Sequence, residues 1–204
     1  TRSLLVHFDN LEDKPLKHRG EYRFHVGTAA IVCRIKTLHG EALSPRASGF
    51  LHLVLKEPCA VCAGDRFVLR SLSPASTLGG GLVLGANPGR VRRKDAEQIK
   101  ERLLQAQRAV LIGENFLAEL YASGSPILRK QDIPGFAQKN LQQAQNSVQD
   151  AVERGLLSSL GASAYLILSR KSELLSLACR LVSRYHSQNK LSQGMRPEFL
   201  TELL

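Results

Sequence analysis

The chain has 204 residues, room for one large domain or two modest ones, and its 43% apolar and 23% charged content is ordinary for a folded soluble protein. No run approaches the roughly 18 uncharged apolar residues of a membrane span and no signal peptide opens the sequence, so a helical membrane protein is excluded and a cytoplasmic one is expected. With 28 Lys and Arg against 18 Asp and Glu the net charge is +10, which favours a polyanionic partner, nucleic acid before membrane; the lack of tryptophan and 5% aromatic content exclude a stacking platform for single strands.

Residues 1–86 read as β. Leu4 to Phe8 form a first strand, and Pro15 and the Arg19-Gly20 pair break it from the next. In EYRFHV the apolar Tyr22, Phe24 and Val26 alternate with Arg23 and His25. Past Gly27-Thr28, Ala29, Ile31, Cys33 and Ile35 stand two apart. This period of two predicts strands with one buried and one wet face. After a polar loop from His39 to Ser48, GFLHLVLKEP alternates again and ends at Pro58. AVCAG (60–64), FVLR and a strand through Gly79, Gly80 and Gly81 bring the total to about six. Short spacing with frequent turn residues predicts a closed antiparallel barrel.

The composition changes at Gly85. Residues 87–94 carry Pro88, Gly89 and the cations Arg90, Arg92, Arg93 and Lys94, and read as a basic linker. From Asp95 to Val110, Ile99, Leu103 and Ala106 fall at helical spacing. Asn115 to Tyr121 gives a second helix, with Gly124 as its expected C-cap. SPILR is a short extended piece, and Asp132 with Pro134 signals another helix start. Phe136 to Arg154 reads as two helices or one broken helix. GLLSSLGASAYLILS then reads as a hairpin. Helices followed by a hairpin predict a first winged-helix domain over 95–170. The helix from Ser172 and a further one from Pro197 predict the start of a second, truncated winged-helix domain over 171–204. Neither end of the sequence looks like a natural terminus, so the chain is expected to be a piece of a longer protein.

The triple glycine is no phosphate loop, because Leu82 and Val83 follow it where a lysine and a Ser or Thr would be needed. No GxSxG, HExxH or carboxylate pair beside a histidine occurs, so no catalysis is expected. Cys59 and Cys62 form a CxxC without a second ligand pair. Together with Cys33 and Cys179 they are expected to be small apolar core residues, with no metal bound.

YRFHVGTAAIVCRI (22–35), PCAVCAGDRFVLRSLSP (58–74) and STLGGGLVL (76–84) resemble the third domain of the selenocysteine-specific elongation factor SelB. YHSQNKLSQGMRPEFLTELL (185–204) resembles a recurrent segment of the same family's winged-helix extension. Leu78 stands where family members often carry isoleucine, a mild change at a buried position. The resemblance implies a fold of antiparallel β-barrel, of the translation-factor domain III type, followed by winged-helix domains. It also implies a parent that uses GTP and Mg, in a domain outside this chain, to deliver selenocysteinyl-tRNA to the ribosome. This part would contact the tRNA through its barrel and connect it to winged helices that read a hairpin in the messenger RNA. No cofactor is expected in the chain itself, and it is expected to be monomeric.

The RNA-contact candidates are His25, Thr28, Arg70, Gly79, Gly80 and Gly81 in the barrel and Arg90, Arg92, Arg93 and Lys94 in the linker. Glycines let an RNA backbone come close, and arginines pair with phosphates. The plainer reading makes His25 and Arg70 solvated strand residues, the glycines a bend in the barrel wall, and the cations a charged helix entry. Two rival functions remain open. One is a DNA-binding winged-helix transcription regulator with a β-barrel sensor domain; the other is a metal or redox protein using the CxxC.

Overall fold

The computed structural model describes residues 1–86, 88–89, 91–133, 141–190, 192 and 194–203. Six antiparallel strands come first: β1 (Ser3–Asn10), β2 (Glu21–Val26), β3 (Ala29–Thr37), β4 (Ser48–Leu55), β5 (Arg66–Arg70) and β6 (Thr77–Ala86). They close into a barrel in the order β1-β4-β3-β2-β5-β6, with β6 returning to β1, so every strand has two neighbours. The alternation dictates the filling. Leu4, Val6, Phe8, Phe24, Cys33, Ile35, Leu53 and Leu69 point inward and are essentially without exposed surface. Phe67 centres this core, with its ring 5.2 Å from that of Phe24 and 6.2 Å from that of Phe8. The stretch expected as a strand at 60–64 is not one. Its Ala63 N–H donates to a helix carboxylate, Glu119, and the Gly64 N–H to the Val83 carbonyl, so AVCAG is an irregular connection rather than a rung of the ladder.

Part of the outer barrel wall is dry. A register shift between β1 and β6 falls at Leu5/Val6, and Leu5 and Leu84 are buried although neither belongs to the interior cluster. Here α1 (Ala96–Leu111) and α2 (Asn115–Ala122) pack against β6. A 3-10 turn over Arg93–Asp95 leads into α1, whose Ile99, Leu103 and Ala106 line its buried face as their spacing predicts. α2 is buried on nearly every side, through Phe116, Leu117, Ala118, Glu119, Leu120 and Ala122, because it touches both β6 and α1. Gly85 admits this contact: a Cβ there would stand 2.4 Å from that of Ala122. At the end of α2 the capping position is Ser123, in extended geometry, and its carbonyl accepts a 2.8 Å bond from Arg102 of α1. Gly124 is not the cap expected of it. Its place is against the Pro88 carbonyl, where a side chain would not fit.

Two compact units result: Thr1–Ser125 with the start of α3 (Leu141–Glu153) up to Ser147, and Pro126–Ile133 with Val148–Leu204. In the second unit β7 (Ile127–Arg129), β8 (Leu157–Leu160) and β9 (Ala164–Ile167) form an antiparallel sheet in the order β7-β9-β8. The expected hairpin is β8–β9, turning at Gly161 with φ of +61°. α4 (Lys171–Gln188) follows, anchored at its start by buried Arg170, whose Nη2 donates to Glu173 at 2.8 Å. α5 (Pro197–Leu203) starts at the proline, as expected. The expected helix start at Pro134 and the part of the expected helical stretch at 136–140 lie outside the described residues.

Candidate nucleic-acid interface

β2 and β5 are neighbours in the barrel, and their register sets which side chains stand together: Arg23 opposite Arg70, and His25 opposite Val68. Phe24 and Leu69 between them point inward, so Arg23, His25, Val68 and Arg70 share the outer face. Arg23 and Arg70 are exposed, and neither is paired with a carboxylate among the described residues. Like charges directly across a ladder oppose folding. Their juxtaposition is therefore not a stabilising device. His25 is half-buried, and its Nε2 has no hydrogen-bond partner among the described residues. Thr28 is exposed in the tight turn after β2, beside a cleft of about 500 Å³ shared with Asp65 and Arg66. His25 and Arg70 thus belong to one face, with Thr28 at its end. Arg23 completes the face. Its outward direction was legible in the alternation, but its pairing across from Arg70 requires β2 to meet β5 past two intervening strands.

The glycine run does something else. A Cβ at Gly81 would stand 1.9 Å from the His7 carbonyl oxygen, and one at Gly79 would stand 2.0 Å from that of Asp9. These two positions are glycine because β1 and β6 approach too closely for any side chain. At Gly80 a Cβ would stand 2.9 Å from the Phe67 carbonyl oxygen of β5. The plain account of the run, closure of the barrel wall, explains all three glycines.

Of the linker cations, Arg90 lies outside the described residues. Arg92 and Lys94 are exposed. Arg93 is not simply solvated: its guanidinium lies over Gly40 of the β3–β4 loop, about 3.7 Å from where a Cβ would stand. His39 in that loop pairs with Glu97 of α1 at 3.3 Å.

Glu119 and His52 are buried titratable groups. Glu119 accepts hydrogen bonds from the backbone N–H of Ala63 at 3.0 Å and of Ala86 at 2.9 Å, fixing α2 both to the β4–β5 connection and to the end of β6. Burial pushes its carboxyl up to about 7, against the lowering effect of those two bonds. Its only sequence signal is a lone charge in the apolar run NFLAELYA. His52 faces outward in the ladder yet is buried, its Nε2 2.7 Å from the Ser3 hydroxyl. Burial first, then Lys36, hold its imidazole down at about 4.

The cysteines divide. Cys33 is buried, and burial pushes its thiol up to about 12. Cys62 is half-buried with its thiol up at about 11, Cys59 is half-buried and Cys179 is exposed, so the expectation of four core residues holds for Cys33 alone. A thiol held at about 11 is a poor nucleophile and redox centre.

Residues 3–90 match the family model described as selenocysteine-specific elongation factor, beta-barrel domain, the same stretch that closes into the six-stranded barrel. The chain is also 34% identical over 102 residues, 46% of its length, to a selenocysteine-specific elongation factor of Desulfomicrobium baculatum. That alignment spans 16% of the relative's length. The likeness to the selenocysteine-specific elongation factor family thus lies in its beta-barrel domain, over residues 3–90.

Proposed function

We propose that this chain is part of a selenocysteine-specific translation elongation factor and that its barrel contacts selenocysteinyl-tRNA through the outer face of β2 and β5. The observation that carries the reading is the coincidence of the family match over residues 3–90 with a complete, closed barrel. The unpaired Arg23 and Arg70, opposite one another in register, give that barrel a phosphate-binding face, and the net charge of +10 agrees with it. Arg92 and Lys94 extend the cationic surface, and His25 and Thr28 adjoin it.

The elements after the barrel act as a winged-helix spacer toward modules that read a messenger-RNA hairpin. What supports this is their chain order, α1, α2, β7, α3, then the β8–β9 hairpin, with α4 and α5 beginning a second such unit. The chain itself turns over nothing and holds no cofactor, while GTP and Mg belong to a separate domain of the parent, which works with the ribosome in the cytoplasm as a monomer. A DNA-binding regulator would not require a barrel of this family. The test is binding of the chain to tRNA and to duplex DNA of equal length over a range of salt. Preference for tRNA, weakening as salt rises, is expected. Equal binding to DNA at every salt would contradict the reading.

A further inference from the structure

Away from the β2–β5 face, a groove of about 620 Å³ lies between α1 and the loop joining β3 to β4. One wall is apolar: Leu38, Leu43, Phe50 and Leu104 line it, and Leu104 is 41% exposed despite its size. Phe50 is steadied by His7, whose ring meets it edge-on at 5.6 Å. The other end is cationic. Arg93 and Lys100 line the groove, and Thr37, also in its lining, donates its backbone N–H to His18 Nδ1 at 3.2 Å. Burial first, and then the fields of Arg19, Arg93 and Lys36, hold the His18 imidazole below the usual histidine range. None of Arg19, Lys36, Arg93 and Lys100 is paired with a carboxylate among the described residues, although Glu41 lines the same groove.

We propose that this groove binds a nucleoside phosphate, with the phosphate at the Arg93 and Lys100 end and the base against Phe50 and Leu104. The arrangement answers the two halves of such a ligand. Unpaired cations suit a phosphate, and an apolar wall with one aromatic ring suits the flat face of a base. The volume is that of a small-molecule site. A single pocket of this kind is compatible with a chain too poor in aromatics to stack a run of bases. The ligand's chemistry is shared by a free mononucleotide and by one unpaired nucleotide of an RNA, and the experiment separates them.

The isotope-labelled chain would be titrated, with its amide signals followed by NMR, with AMP, with inorganic phosphate and with a single-stranded tetraribonucleotide. AMP is expected to give saturable shifts confined to residues 37–51, 93 and 100–107. Inorganic phosphate should move only the signals around Arg93 and Lys100. Arg93→Glu and Leu104→Glu should each weaken AMP by about tenfold or more. Lys14→Glu, an equal charge change at a residue lining a different cleft, should not. If the tetranucleotide binds at least about tenfold tighter than AMP at the same signals, the natural ligand is an RNA nucleotide; equal affinity assigns a free one. Scattered or non-saturating shifts, phosphate reproducing every AMP shift, or Lys14→Glu weakening binding as much as Arg93→Glu would each overturn the proposal. A chain that still selects tRNA while failing this titration loses the groove and keeps the β2–β5 reading.

Discussion

Phe24, Leu53 and Ile35 inside the barrel expose no surface, whereas no residue of α4 is fully buried, although Leu174, Leu177, Ala178, Leu181 and Tyr185 stand at helical spacing along it. Both regions are patterned correctly for their periods, two in the strands and near 3.6 in the helix. The difference lies in what covers the pattern. A barrel supplies its own cover by closing, while a helix needs a partner surface, and α4 has α5, through Tyr185 and Phe199 with rings 6.2 Å apart. Binary patterning therefore locates an apolar face and leaves the extent of its burial to tertiary contacts.

The largest effect that would sharpen this contrast is loss of barrel filling or closure. Phe24→Ala should cost about 3–5 kcal/mol, the range for emptying a buried aromatic site. Gly81→Ala should reach or pass the roughly 3 kcal/mol typical of overpacking, because the obstacle is the His7 backbone rather than a movable side chain. Leu181→Ala in half-buried α4 should cost about 1 kcal/mol. Denaturant melts of the three variants check the order, and equal losses in barrel and helix would break the comparison.

Next in size is the attachment of α2. Glu119→Ala leaves the N–H groups of Ala63 and Ala86 without their acceptor, at about 1–3 kcal/mol each. Amide exchange at Ala63 and Ala86 should rise more than exchange inside the barrel.

The pH response is smaller because two buried groups oppose one another. Glu119, raised to about 7, holds a proton in the native state that the unfolded chain releases near the ordinary value of 4.5, so its share of stability falls as pH rises across that window. His52, lowered to about 4 from 6.5, loses its proton early in the native state, so its share rises with pH between about 4 and 6.5. Stability should be nearly flat from about pH 4.5 to 6.5 as far as these groups set it. Glu119→Gln should expose a rise with pH and His52→Gln a fall, read as shifts in the urea midpoint.

Sequence alone disclosed the barrel, its six strands, the helices and the β8–β9 hairpin, because each rests on local period and turn chemistry. It mistook AVCAG for a strand, since the partner of Ala63 is Glu119, 56 residues away. It placed Arg70 and His25 among the candidates but not Arg23, because the register that brings Arg23 to Arg70 forms only when the barrel closes. It offered Gly79 to Gly81 as RNA-contact candidates with a bend in the barrel wall as the plainer reading, and the close approach of the His7, Asp9 and Phe67 carbonyls adds a packing reason for glycine there that only the closed barrel discloses. Non-local pairing is what periodicity does not contain.

The measurement that bears most directly on the functional account is tRNA binding by Arg70→Glu, made alongside its urea midpoint. The substitution turns a like-charged cross-strand pair into an opposite one, so stability should hold or rise by a few tenths of a kcal/mol. Affinity for tRNA at low salt should fall by about tenfold, and the slope of log affinity against log salt should flatten by about one. Unchanged affinity and slope in a folded Arg70→Glu chain would contradict the claim that the β2–β5 face holds the RNA.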